Sequence, residues 1–216
     1  MFETIVTIGD SITWGSGATV LERSWAVLLS HMVWQHQGCE GELINLGVGG
    51  SVLHHGAPTY AISVKPCGLD VYQAHSLHKM PELMVLAHGF NDCRGGEPVD
   101  VFEPVLSDLL RSVSRVDGRM VLVCSLYYSD NYTGYPPYNR STRDLFLAYN
   151  SVIERATRAT GCIFADVWTA MNERPLLLKE DHVHPNDLGH QVIANRIFEA
   201  LAQNVNLADT RSTRQR

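Results

Sequence analysis

No stretch of the 216-residue sequence approaches the roughly 20 consecutive apolar residues that a membrane-spanning helix requires, so no membrane span is expected. Nor is there a basic run apart from scattered arginines in the last few residues. Lys and Arg number 17 against 23 Asp and Glu, for a net charge of −6, and nucleic acid is not an expected partner. No CxxC pair occurs, and the five cysteines (Cys39, Cys67, Cys93, Cys124 and Cys162) are odd in number and widely spaced, so they read as free thiols in a reducing compartment. The opening Met1-Phe2-Glu3-Thr4-Ile5 has no cationic segment ahead of its short apolar run, and polar Gly9-Asp10-Ser11 follows at once, which makes the cytoplasm the expected location. A GxGxxG spacing and a Walker-type lysine are both absent, which argues against a nucleotide-phosphate cradle.

What is present is apolar content of 45%, enough to bury one substantial core. The expectation is one domain over residues 1–204, followed by a polar, aperiodic and flexible tail at 205–216. Short apolar runs alternate with longer stretches of helical period, the pattern of a parallel sheet covered by helices on both faces. Strands are predicted at residues 4–8, 42–46, 83–87, 120–126 and 162–167, and helices at 24–37, 99–113, 142–160 and 186–202. In the first helix Trp25, Leu28, Leu29, Met32 and Val33 share one face. Pro185 with Asn186 or Asp187 supplies start chemistry for the last.

Four segments lie at or beyond strand ends. Gly9-Asp10-Ser11-Ile12 breaks the first strand at the carboxyl edge of the sheet, where ligands bind in open α/β folds; it also reads as a tight turn capped by Asp10 or Ser11. Asn45-Leu46-Gly47-Val48-Gly49-Gly50 leaves backbone amides free to meet an anion, with Gly50 a candidate donor, or is an ordinary glycine loop. Gly89-Phe90-Asn91-Asp92 offers the Asn91 amide to a developing oxyanion, or forms an Asx turn. Asp181-His182-Val183-His184-Pro185 puts a carboxylate and an imidazole on one short loop: a carboxylate on one ring nitrogen fixes the tautomer and leaves the other free to accept a serine proton. Pro185 restrains the backbone of His184, making it a better base than His182.

In order, GDSI, NLGVGG, GFND and DHVH resemble the four sequence blocks of the SGNH (GDSL) hydrolases, and the resemblance spans positions 1 to 201. It implies that Ser11 is the nucleophile, that Asp181 orients His184 as general base, and that the Ser11 amide, Gly50 and Asn91 form an oxyanion hole. Gly50 is chosen over Gly49 or Gly47 by aligning Asn45 with the asparagine common in that block. The implied fold is a three-layer α/β/α sandwich whose five parallel strands run in the flavodoxin-like order 2-1-3-4-5. No cofactor is implied. The expected reaction is hydrolysis of short-chain acyl esters through an acyl-enzyme, acetylated carbohydrates being the favoured substrate class; lipase, thioesterase or acyltransferase activity would use the same residues. A glycan- or acyl-binding module without turnover is disfavoured by the complete set of catalytic groups. A homo-oligomer is compatible with the sequence.

Other features have double readings. Tyr127, Tyr128, Tyr132, Tyr135 and Tyr138 surround Pro136-Pro137 and suggest an aromatic wall that helps select the substrate, with Tyr127 and Tyr128 the expected substrate contacts, or a loop packing its own rings. Trp14 either lines the acyl pocket or covers the core, and Arg94 either meets a charged substrate or pairs with Asp10 or Asp92. Asp10 and Asp92 read as structural acceptors of backbone amides. The long gap from Gly50 to Asn91 holds His54, His55, Cys67, His75 and His78; a loop or short helices bordering the cleft are expected there. No metal is expected, because no carboxylate stands at ligand spacing from His75 and His78.

Overall fold

The apolar runs become strands because their aliphatic side chains bury on both faces, as a parallel sheet between helices requires: Leu83–Ala87 is buried throughout, and Met120–Cys124 everywhere but its first residue. In the computed structural model, which describes residues 1–75, 81–116 and 118–205, the elements follow in this order. Strand β1 (Thr4–Gly9) leads to the one-turn helix α1 (Ser11–Trp14), α2 (Trp25–Gln37) and β2 (Glu42–Gly47). Short helices α3 (Tyr60–Ser63) and α4 (Gly68–His75) precede β3 (Leu83–Ala87), α5 (Phe90–Arg94), α6 (Val99–Val113) and β4 (Met120–Cys124). The chain continues through α7 (Arg143–Ala159), β5 (Ile163–Ala165), α8 (Val167–Met171) and α9 (Asp187–Asn204).

All strand pairs are parallel, and the order is β2-β1-β3-β4-β5, as the resemblance implied. Helix α2 packs on α9 and α6 on α7, with the sheet between the two pairs. Register matters most at one edge: Gly9 stands opposite Gly47 on one side and Ala87 on the other, so three strands end level and deliver their loops to the same rim. Among the described residues no helix is long and apolar enough to cross a membrane. All five cysteines are free. Residues 206–216 of the expected polar tail, and His78, lie outside the described residues.

Two strand predictions run too long. The expected strand at 162–167 is cut to Ile163–Ala165 because the Asp166 carboxylate accepts the Thr169 amide at 3.0 Å and caps α8, which begins at Val167. With β5 ended, the strand expected at 120–126 makes its last bond to that neighbour from the Ser125 amide to the Ala165 carbonyl at 2.9 Å. The amide of Leu126 goes instead to the Asn150 side chain at 2.8 Å, and that of Tyr128 to the Met171 sulfur at 3.4 Å. The segment between Gly50 and Asn91 does hold short helices, α3 and α4.

Folding supplies the carboxylates that sequence spacing withheld from this histidine-rich segment. Asp70 lies 3.0 Å from the His55 ring and 3.2 Å from the Cys67 sulfur. Glu97 reaches the His54 ring at 2.6 Å, and Asp92 accepts the Leu53 amide at 2.8 Å. Asp92 and Glu97 are buried, and each keeps one oxygen with no hydrogen-bond partner. Burial pushes both carboxyl pKa values up to about 7, against the stabilising Leu53 amide in the case of Asp92.

Asn186 caps α9 by accepting the Gly189 amide at 3.1 Å, while its amide group donates to the carbonyls of Leu176 (2.7 Å) and Leu178 (3.1 Å). Asn186→Ala is expected to lower unfolding free energy by about 1–2 kcal/mol in urea titrations, the usual cost of losing a side-chain cap. Glu97 gives a pH prediction. Its raised folded pKa means that its contribution to stability is full below the unfolded value of about 4 and is lost as pH rises through about 7. Glu97→Gln does not titrate, so its Tm relative to the unmodified protein is expected to climb between pH 5 and pH 8; a difference constant across that range contradicts the assignment.

Candidate active site

Strand β1 must stop where it does. A Cβ on Gly9 would overlap the Thr13 hydroxyl and crowd the Ala87 carbonyl, so only glycine allows the chain to turn into α1 at this point. Asp10 caps that turn, accepting the Ile12 amide at 2.8 Å, and burial raises its pKa to about 6 despite the hydrogen bond. Ser11 therefore begins a helix at the rim of the sheet. Its loop is braced from β2, where the Asn45 side chain donates to the Thr13 carbonyl at 2.8 Å and accepts the Gly47 amide at 3.0 Å.

From the other end of the chain, His184 brings its Nε2 to 3.1 Å from the Ser11 Oγ. Its Nδ1 lies 2.6 Å from Asp181 Oδ2, while Asp181 Oδ1 accepts the backbone amides of Val183 (2.9 Å) and His184 (3.0 Å). Partial burial pushes the Asp181 carboxyl upward, but the His184 ring and these amides outweigh it and hold the pKa below the usual carboxylate value. An ionised carboxylate on Nδ1 requires the proton there, leaving the Nε2 lone pair for the serine hydroxyl. His182 does not join this group: its ring turns to Asp130 at 2.9 Å.

The convergence of the two termini has a scaffold of its own. Buried His190 on α9 accepts the Trp25 amide on Nδ1 at 3.2 Å and donates from Nε2 to the Ser16 carbonyl at 3.1 Å. Burial lowers its pKa to about 4, so the ring is neutral and bridges as one donor and one acceptor. Asp187 adds bonds to the Thr19 amide and hydroxyl at 2.8 Å each and to Arg23 at 2.6 Å. These residues carried no recognisable signal in the sequence, beyond the expectation of a cap at Asn186 or Asp187.

A cavity of about 270 Å³ opens beside Ser11 and His184, and Gly50, Asn91 and Arg94 line it. Gly50 adopts a left-handed backbone with φ of 75°, its carbonyl accepting the Tyr138 hydroxyl at 2.8 Å. Among the described residues, the amides of Ser11 and Gly50 have no backbone acceptor. Asn91 donates one amide hydrogen to the Ser51 carbonyl at 2.9 Å, which fixes the group and leaves its second hydrogen to spare.

The tyrosine-rich loop does reach this cavity, but through other rings than expected. Tyr127 is 1% exposed beneath Phe90, and Tyr128 is buried against Trp168, so neither is a substrate contact: they prolong the apolar run of β4 into the core. Tyr135 and Tyr138 line the cavity instead. Trp14 is 52% exposed and lies outside the cavity lining. Arg94 is a lining residue, and among the described residues it pairs with neither Asp10 nor Asp92.

No curated protein matches the sequence. Solved structures do match in fold: a lipase/acylhydrolase from Enterococcus faecalis at 21% identity and TM-score 0.73, over 94% of this chain and 96% of that one. TesA matches at 18% identity and TM-score 0.72, over 94% and 99% of the two chains. Axe2, an acetylxylan esterase from Geobacillus stearothermophilus, matches at 19% and 0.64, over 92% and 94%. At these identities the likeness is one of fold. The model of the GDSL-like lipase/acylhydrolase family matches residues 7–192, a span that takes in Ser11, Gly50, Asn91, Asp181 and His184, and the chain belongs to that family.

Proposed function

We propose that this protein hydrolyses carboxylic esters of short acyl groups through an acyl-enzyme on Ser11. The observation that carries the reading is the unbroken line from Asp181 through His184 to the Ser11 hydroxyl, with contacts of 2.6 and 3.1 Å. Family membership supports acyl ester hydrolysis as the reaction class.

In this mechanism Ser11 Oγ attacks the ester carbonyl while His184 Nε2 takes its proton, and Asp181 stabilises the resulting imidazolium. The negative charge gathering on the carbonyl oxygen is met by the amides of Ser11 and Gly50 and the free amide hydrogen of Asn91, each donor being worth roughly 100- to 1000-fold in turnover. His184 then passes its proton to the departing alcohol. Water attacks the acyl-enzyme, gives a proton to His184 and releases the acid, and the proton returns to Ser11.

A cavity of about 270 Å³ walled by Tyr135, Tyr138 and Phe90 favours a small acyl group, and the exposed ring of Tyr135 offers a face on which a sugar can stack. Acetylated carbohydrates are therefore the substrate class we favour.

Intact-mass spectrometry after fluorophosphonate treatment is expected to show one adduct on the unmodified protein and none on Ser11→Ala, whose turnover of phenyl acetate falls by about 10,000-fold or more. Equal labelling of both proteins would overturn the proposal. Across 4-nitrophenyl acetate, butyrate and octanoate, kcat/KM is expected to fall with chain length by at least about tenfold per step once the cavity is filled. An octanoate rate at or above that of acetate contradicts the short-acyl assignment.

A further inference from the structure

Resting on the esterase reading above, we infer that Arg94 makes this pocket selective for esters that carry a carboxylate close to the scissile bond. Arg94 is 1% exposed, yet it lines the same cavity as Ser11, Asn91 and His184. It ends α5 one helical turn beyond Asn91, so both side chains are carried by one rigid element.

Its bonding is incomplete for a buried cation. Nη2 donates to the carbonyls of Asn131 and Gly134, both at 3.1 Å, and the guanidinium carbon sits 5.7 Å from the centre of the Phe90 ring. Nε is buried with no partner at all. Among the described residues no carboxylate lies within the 4.0 Å of an ion pair with it. Asp181 and Asp10 act on it only through space: burial pulls its pKa below the ordinary arginine value, and their charges push back. An arginine in this range keeps its proton at neutral pH. Buried cations are ordinarily paired with an anion, and this one faces the substrate cavity without one.

Tethering the 131–134 loop accounts for one nitrogen of the three. Two neutral carbonyls do not require a positive charge, and a guanidinium kept from solvent is costly unless an anion meets it. The planar fork matches a carboxylate, which it can grip with two parallel hydrogen bonds. Phosphate fits less well, because no second Lys or Arg lines the cavity to share its greater charge.

The test compares matched esters in which the carboxylate is replaced by the isosteric amide. Monoethyl succinate against ethyl succinamate places the charge on the acyl side; 4-acetoxybenzoate against 4-acetoxybenzamide places it on the alcohol side. With each kcat/KM divided by the ester's alkaline hydrolysis rate, the carboxylate member of at least one pair is expected to be favoured by about 10- to 100-fold, the range of a charge-assisted hydrogen bond. The responding pair identifies which half of the ester meets Arg94. In Arg94→Met the preference is expected to vanish, and in Arg94→Lys to survive in part; Arg94→Gln replaces the methionine variant if that protein does not fold. Ratios at or below one in both pairs for the unmodified protein, or a ratio undiminished in the neutral variant, overturn the inference while leaving ester hydrolysis standing. If phenyl acetate turns over and none of the four esters does, the inference about Arg94 falls by itself; if neither phenyl acetate nor any of the four turns over, the esterase reading fails. Calorimetric titration of the Ser11→Ala protein with 4-acetoxybenzoate and with its amide then decides the role of Arg94 alone, equal affinities refuting it.

Discussion

Everything at the rim of the sheet depends on one buried imidazole holding the first loop of the chain to its last helix. His190 spans the Trp25 amide and the Ser16 carbonyl, and Asp187 clasps Thr19 and Arg23 beside it. Both ends of the Ser11–His184 contact are thereby fixed to regular structure: Ser11 by the end of β1 and the cap of Asp10, His184 by the start of α9 and the carboxylate of Asp181. A neutral ring suits this task. It gives and takes one hydrogen bond each, with no charge to solvate in an interior that burial has made inhospitable to the imidazolium.

Around this frame lies a ring of polar groups that the fold leaves partly unsatisfied. Asp10, Asp92, Glu97 and Arg94 are buried, and each retains at least one atom without a hydrogen-bond partner. They flank the loops that bear Ser11 and Asn91, whereas the apolar core beneath the sheet is continuous from Ile5 to Leu201. Buried charges gathered at the sheet edge are what preorganised sites generally exhibit: fixed charges and dipoles there cannot relax, and so stay aimed at whatever enters.

The sheet was legible in the sequence because its strands are short apolar runs of the length that only buried parallel strands need, and the motifs were legible because they fall where those runs stop. Boundaries slipped where a side chain competes with the ladder, as the Asp166 carboxylate does at the end of β5. Tyr127 and Tyr128 were misread for a related reason. Composition reveals a tyrosine-rich loop, but only the three-dimensional path reveals that the first two rings still follow β4 into the core while Tyr138 reaches back to Gly50 and Tyr135 lines the cavity. His190, Glu97 and the loop carbonyls that hold Arg94 left no pattern to read, since each acts through a partner dozens of positions away.

The contact between Ser11 and His184 joins residues 173 positions apart. During synthesis on the ribosome the hydroxyl is made before strands β2 to β5 and long before the imidazole, and no nascent or prematurely terminated chain short of residue 184 contains both groups. The reactive centre is thus completed only once the segment leading into α9 has been made, and any shorter copy carries the serine without its base.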